Sequence, residues 1–177
     1  SPKFGFVAWT SKHLSLSWAD ARHVCTSLGG DLASIRSADE LEEFRTYTSA
    51  IPGFRTYNSA VWVGGTDAAE EGQWKWSDGS DFKQFTNWGK QSQTNRKLKT
   101  EICSEDTLDP DGGTAENCLI MYTKSGSMHD ADCAEANNFV CRNLNAGSDF
   151  TKNMSLVSSG WWERTAAAGG FEQIPTD

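Results

Sequence analysis

The chain has 177 residues, with 24 Asp and Glu against 16 Lys and Arg and a net charge of -8. That length fits one domain with a real hydrophobic core plus an appendage and excludes two large domains. The acidic balance argues against a nucleic-acid backbone or an anionic membrane surface as partner and favours cations instead, Ca²⁺ among them.

No apolar run has the length needed to span a bilayer, so no membrane insertion is expected. The chain begins with Ser1 rather than Met, as after removal of a signal peptide, and a secreted, extracellular product is the expectation. Asn153-Met154-Ser155 is a glycosylation sequon compatible with that compartment.

The stretch from Phe4 to Trp9 is aromatic and alternating, which predicts an opening strand. Ser17-Trp18-Ala19-Asp20 reads as a helix start, with Ser17 as N-cap and Asp20 where the helix dipole favours an acid. Trp18, Ala21, Cys25 and Leu28 recur at spacings of three and four, which turns Cys25 to the core, and Gly29-Gly30 ends the helix. A second start follows at Ser37-Ala38-Asp39-Glu40, a capping box, with Leu41 and Phe44 forming an apolar stripe and an end before Pro52.

From residue 61 the hydrophobic period changes from near four to two. Val61 to Gly64 reads as a strand, and Gln73-Trp74-Lys75-Trp76 places both tryptophans on one face before an Asp78-Gly79 turn. Residues 89 to 117 form a long polar segment of the kind that is usually functional or disordered. Within it DTLDPDGGTAE adds Asp109 and Asp111 to the acidic density, and its spacing, unlike that of an EF-hand, reads as a solvated loop. Cys118 to Tyr122 is a strand, Lys124-Ser125-Gly126 a turn, and Asn138 to Arg142 the last strand of a domain spanning 1–143. Residues 144–177 form an extension too polar for a second core. Its adjacent Trp161 and Trp162 call for burial against this domain or a neighbouring subunit.

Five cysteines, Cys25, Cys103, Cys118, Cys133 and Cys141, lack the Cys-x-x-Cys spacing of a zinc or redox site, which points to an oxidised framework. Five ways to choose the odd one and three ways to pair the rest leave fifteen arrangements open on spacing alone.

The order of motifs resembles the C-type lectin-like domain family. SWADARHVCTSLGGDLASI, VWVGG, GQWKWSDG, FTNW, ENC and NNFVC carry the resemblance over roughly Phe4 to Arg142. It implies an α+β fold in which two helices flank antiparallel sheets beside a long loop region. It also implies two disulfides, Cys25 to Cys141 and Cys118 to Cys133, with Cys103 left over in the long loop.

In calcium-binding members, the acid two residues before the third framework cysteine and the Asp three before the fourth are ligands; those places hold Glu116 and Asp130. The residue before that Asp is commonly Asn, and here it is His129, whose imidazole suits softer metals better than Ca²⁺. The family's Glu-Pro-Asn or Gln-Pro-Asp tripeptide, with its cis-proline, usually follows the FTNW motif. Its nearest candidate here is Gln93-Thr94-Asn95 with a one-residue insertion, or Ser92-Gln93-Thr94 on strict spacing, neither with proline. An auxiliary calcium position of the family is matched by Asp67 and Glu71, with Asn117 where an acid is often found.

His13, His23 and His129 raise zinc or a nucleophilic cysteine as alternatives, but His23 lies two residues from a cysteine expected to be oxidised, and an oxidised sulfur cannot attack. No catalytic motif is present, and an enzyme is not expected. Trp18, Trp62, Trp74, Trp76 and Trp88 fall at family positions that build the core. The leading expectation is therefore a non-catalytic extracellular recognition module. It would bind a protein partner, or form a homo-oligomer, through the long loop with Cys103 and the tail. The alternative is a calcium-dependent lectin in which Gln93, Asn95 and His129 meet a glycan ligand and Glu116 and Asp130 hold the ion.

Overall fold

The computed structural model describes residues 5–6, 15–51, 54, 59–89 and 109–143, with the backbone alone of 7–9, 162–164 and 171–173. In chain order the elements are β1 (Phe6–Trp9), α1 (Trp18–Ser27), β2 (Gly30–Leu32), α2 (Ala38–Ser49), β3 (Ala60–Thr66), β4 (Lys75–Trp76), β5 (Cys118–Tyr122), β6 (Met128–Ala131), β7 (Asn138–Asn143), β8 (Trp162–Arg164) and β9 (Phe171–Gln173). No helix among the described residues is long and apolar enough to cross a membrane.

Both helices start where the sequence places an N-cap. The Ser17 hydroxyl accepts from the Asp20 N–H at 3.3 Å and the Ser37 hydroxyl from the Glu40 N–H at 3.2 Å, each satisfying a donor the helix leaves unpaired. The reciprocal half of the second cap is displaced. Glu40 Oε2 accepts from the N–H of Arg36, at 2.8 Å, because the same carboxylate also faces Arg142. The first helix gives way at Leu28, and Gly29 takes φ +87°, a conformation that favours glycine.

Seven strands form one sheet in the order β1-β7-β3-β5-β6, with β2 also on β7 and β4 also on β3. The expected antiparallel pattern holds throughout that sheet except between β3 and β7, which run parallel, so the sheet is mixed. The reason lies in the connection: after the β5–β6 hairpin the chain crosses back over the sheet before entering β7 beside β3. The crossing segment is held at the start of α1, where the Trp18 N–H donates to the Cys133 carbonyl and Leu16 bridges Asn137.

The strand period of two divides the core between the faces. Val61, Val63, Leu119, Met121 and Val140 meet Phe44 of α2 and the aromatic group of Trp74, Trp76 and Phe82. Trp62, Ile120, Phe139 and Cys141 meet Trp18, Ala21 and Cys25 of α1 on the other side. Both disulfides implied by the resemblance are present. Cys25 joins Cys141 across 116 residues, and Cys118 joins Cys133 across 15. Chain-entropy reasoning assigns about 4.7 kcal/mol to a loop near 100 residues and about 3 kcal/mol to one near 15.

Candidate metal centre

The site forms beyond the end of the core, where β6 runs beside two loop segments. In the β5–β6 hairpin, Leu119 pairs with Asp130 and Ile120 with His129, so the alternating register turns these neighbours to opposite faces. Asn87 to Gly89 lies along the free edge of β6: Met128 N–H donates to the Asn87 carbonyl and Gly89 N–H to the Met128 carbonyl, both at 2.8 Å. The chain is again at this edge at Asp109, whose N–H donates to the Gly89 carbonyl at 3.1 Å.

That contact brings three carboxylates together. Asp109, Asp111 and Asp130 each offer an oxygen, and these oxygens lie within 4.8 Å of one another. Asp130 Oδ2 accepts from the Asp111 N–H at 2.9 Å and the Gly112 N–H at 2.7 Å, which fixes the turn against β6. The Asp109-Pro110 peptide is cis. Asp109-Pro110-Asp111 is an acid-Pro-Asp tripeptide, and the Gln93-Thr94-Asn95 and Ser92-Gln93-Thr94 candidates lie outside the described residues.

From Asp109 to Glu116 the segment is largely exposed, as the solvated-loop reading expects, with one exception: Asp109 is only 4% exposed, while Asp111 is exposed. Burial raises the Asp109 pKa, and the charges of Asp130, Asp111 and Glu116 add to it, so that it reaches about 7. Its inner oxygen, Oδ2, meets Nδ1 of His129. Burial lowers the His129 pKa, against the opposing effect of Asp130 and Asp111. The imidazole Nε2 lies 3.1 Å from the Ser127 hydroxyl, and the ring stands edge-on to Tyr122 with centroids 4.9 Å apart.

Glu116 follows a 3₁₀ turn at Gly113–Ala115 and folds over Gly112, where an added Cβ would lie 2.0 Å from Glu116 Oε2. Glu116 and Asp130 therefore both meet Gly112, while the three clustered oxygens belong to Asp109, Asp111 and Asp130. Asp67 is buried at the end of β3. Its Oδ2 accepts from the Gly72 N–H at 2.8 Å, while its Oδ1 is buried without a hydrogen-bond partner among the described residues. Asn117 lies next to it, its carbonyl accepting from the Asp67 N–H and the Thr66 hydroxyl, and Glu71 is exposed. A buried carboxylate oxygen with no donor is costly, and a bound cation would satisfy it. The donor set at both places is carboxylate oxygen, which fits a hard cation such as Ca²⁺. Cys103 and Trp161 lie outside the described residues, and of Trp162 only the backbone is described, in the β8–β9 pair.

Residues 14–143 match the family model of the lectin C-type domain. The chain belongs to the C-type lectin domain family. It is 40% identical over 121 residues to nattectin, a galactose-specific lectin of Thalassophryne nattereri, covering 68% of this chain and 72% of that one. It is 36% identical over 102 residues to ladderlectin of Oncorhynchus mykiss, where the match covers 57% of this chain and only 50% of the relative. Among solved structures, a Ca²⁺-dependent type II antifreeze protein in its Ca²⁺-free form superposes with a TM-score of 0.57 at 25% identity, over 77% of this chain and 89% of that one.

Proposed function

We propose that the chain is an extracellular, non-catalytic recognition module that binds calcium through Asp109, Asp111 and Asp130 and reads the hydroxyls of a glycan there. The carrying observation is the approach of these three carboxylate oxygens to within 4.8 Å of one another. Three carboxylates so close repel one another, and a divalent ion relieves that repulsion. Ca²⁺ takes 6–8 oxygen ligands, so positions remain for paired hydroxyls of a sugar. Family membership and two disulfides support the non-catalytic role and an oxidising compartment. The likeness to a galactose-specific lectin makes galactose the first sugar to test.

This reading places the lectin alternative above a protein partner, because the carboxylate cluster and the likeness to a galactose-specific lectin both favour it. Calorimetric titration with CaCl₂, followed by galactose and mannose into the loaded protein, tests it. Calcium binding followed by chelator-reversible galactose binding is expected. Absence of heat on calcium addition overturns the metal centre, and calcium binding with no sugar response across a broad glycan array overturns the lectin reading.

A further inference from the structure

We infer that His129 is a positioning residue of the cation site, holding Asp109 in place while itself contributing no bond to the ion. The inference rests on the calcium reading above and concerns a position where the family resemblance leads one to expect an amide ligand. Both ring nitrogens are engaged within the protein, Nδ1 against Asp109 Oδ2 and Nε2 against the Ser127 hydroxyl. The ring also stands edge-on to Tyr122 and against the backbone of Gly89, where an added Cβ would lie 2.1 Å from Nε2.

The arrangement assigns the tautomer of the loaded state. Nδ1–H donates to the ionised Asp109, and Nε2 accepts from the Ser127 hydroxyl. One carboxylate oxygen of Asp109 is then fixed by the imidazole and the other is left for the ion, the outer-shell support that orients metal-binding carboxylates. With no nitrogen lone pair facing the ion, the ligand set is oxygen alone and selects calcium over zinc. Gly89 completes the device. It receives the Asp109 N–H on its carbonyl and the His129 ring on its Cα, so the loop and the imidazole are registered by one residue.

The test is a double-mutant cycle on the full chain, reading calcium and zinc affinity by calorimetry for wild type, His129→Ala, Asp109→Ala and the pair. Loss of an outer-shell partner typically costs 10–100-fold in metal affinity. His129→Ala should therefore weaken calcium by about that factor alone and by much less in the Asp109→Ala background. Gly89→Ala, which retains the imidazole but displaces it, should reproduce the loss and covers the case in which His129→Ala folds poorly. Zinc binding that depends on His129 and survives Asp109→Ala would make the imidazole a ligand and overturn the inference. Wild-type calcium affinity in both His129→Ala and Gly89→Ala would overturn it as well, leaving the calcium reading intact, whereas no calcium binding by the wild type removes both.

Discussion

Asp130 Oδ2 accepts a hydrogen bond from the Gly112 N–H at 2.7 Å, and the same oxygen accepts another from the Asp111 N–H at 2.9 Å. The carboxylate expected to hold an ion thus also shapes the loop that brings its companion ligands. Asp130→Ala removes both functions, leaving two N–H groups without their acceptor at a cost of about 1–3 kcal/mol. Asp130→Asn keeps an acceptor oxygen but lowers the site's negative charge. The alanine variant should show a lower Tm without calcium as well as lost calcium binding. The asparagine variant should keep a near-native Tm with weakened binding. Thermal melts with and without calcium distinguish the two effects.

A buried ion pair ties the second helix to the last strand. Arg142 Nη1 donates to Glu40 Oε2 at 2.9 Å and Nη2 to Oε1 at 2.8 Å, both residues being under a tenth exposed. Burial alone would push the Glu40 pKa up. Hydrogen bonds from Arg142 and then Arg36 outweigh it and bring the pKa to about 2. The folded-state pKa is lowered, so the stabilisation is present above the ordinary value of 4.5 and is lost as pH falls through the range down to about 2. Arg142→Met strands a buried carboxylate and should destabilise by about 3–5 kcal/mol at neutral pH. That penalty should shrink as pH falls and Glu40 is protonated, which denaturant titrations at pH 7 and pH 3 would show.

Elements governed by local chemistry are legible in the sequence. The serine caps at Ser17 and Ser37, the stop at Gly29, the shared burial of Trp74 and Trp76 and the strand Cys118–Tyr122 follow from side-chain chemistry over a few residues. Glu40 resisted prediction because its partner Arg142 is 102 residues away, and a capping-box glutamate looks the same whether or not an arginine will meet it. Asp109 resisted for a related reason. The acidic, glycine-rich run around it is indeed largely exposed, and Asp109 alone is buried, where its N–H meets the Gly89 carbonyl beside β6. The sequence signal that accompanies the cluster is the acid-Pro-Asp pattern just ahead of Glu116 and Cys118.

Gly64 offers a test of packing alone. A Cβ built there would lie 2.7 Å from the Ser77 hydroxyl and 2.9 Å from the Leu32 carbonyl, and the second of these is backbone that cannot swing aside. The close approach is also hydrogen-bonded: the Gly64 N–H donates to the Ala33 carbonyl and the Ser77 N–H to the Gly64 carbonyl, each at 2.8 Å. Gly64→Ala should cost about 1–3 kcal/mol, the range for overpacking. At this chain length that corresponds to about 2–4 °C of Tm for each kcal/mol. A thermal melt reads it directly, and an unchanged Tm would mean that β2 and β3 can separate without penalty.

The raised pKa of Asp109 sets the direction of a pH dependence in calcium binding. Burial and then the neighbouring charges of Asp130, Asp111 and Glu116 place that pKa at about 7, so near neutrality the free protein carries a proton there for part of the time. Calcium binds the ionised form and must displace that proton. Affinity should therefore rise with pH through 7 and level off above it. At pH 5 it should be weaker by about 100-fold, a factor of ten for each unit below the pKa. The stability of the calcium-free fold runs the other way. A carboxyl pKa raised on folding makes ionisation unfavourable in the folded state, so stability falls as pH rises from the ordinary carboxylate range to about 7. Added calcium should consequently raise Tm more at pH 8 than at pH 5. Calorimetry in two buffers of different ionisation enthalpy would count the released proton, and Asp109→Asn should abolish both the proton release and the pH dependence.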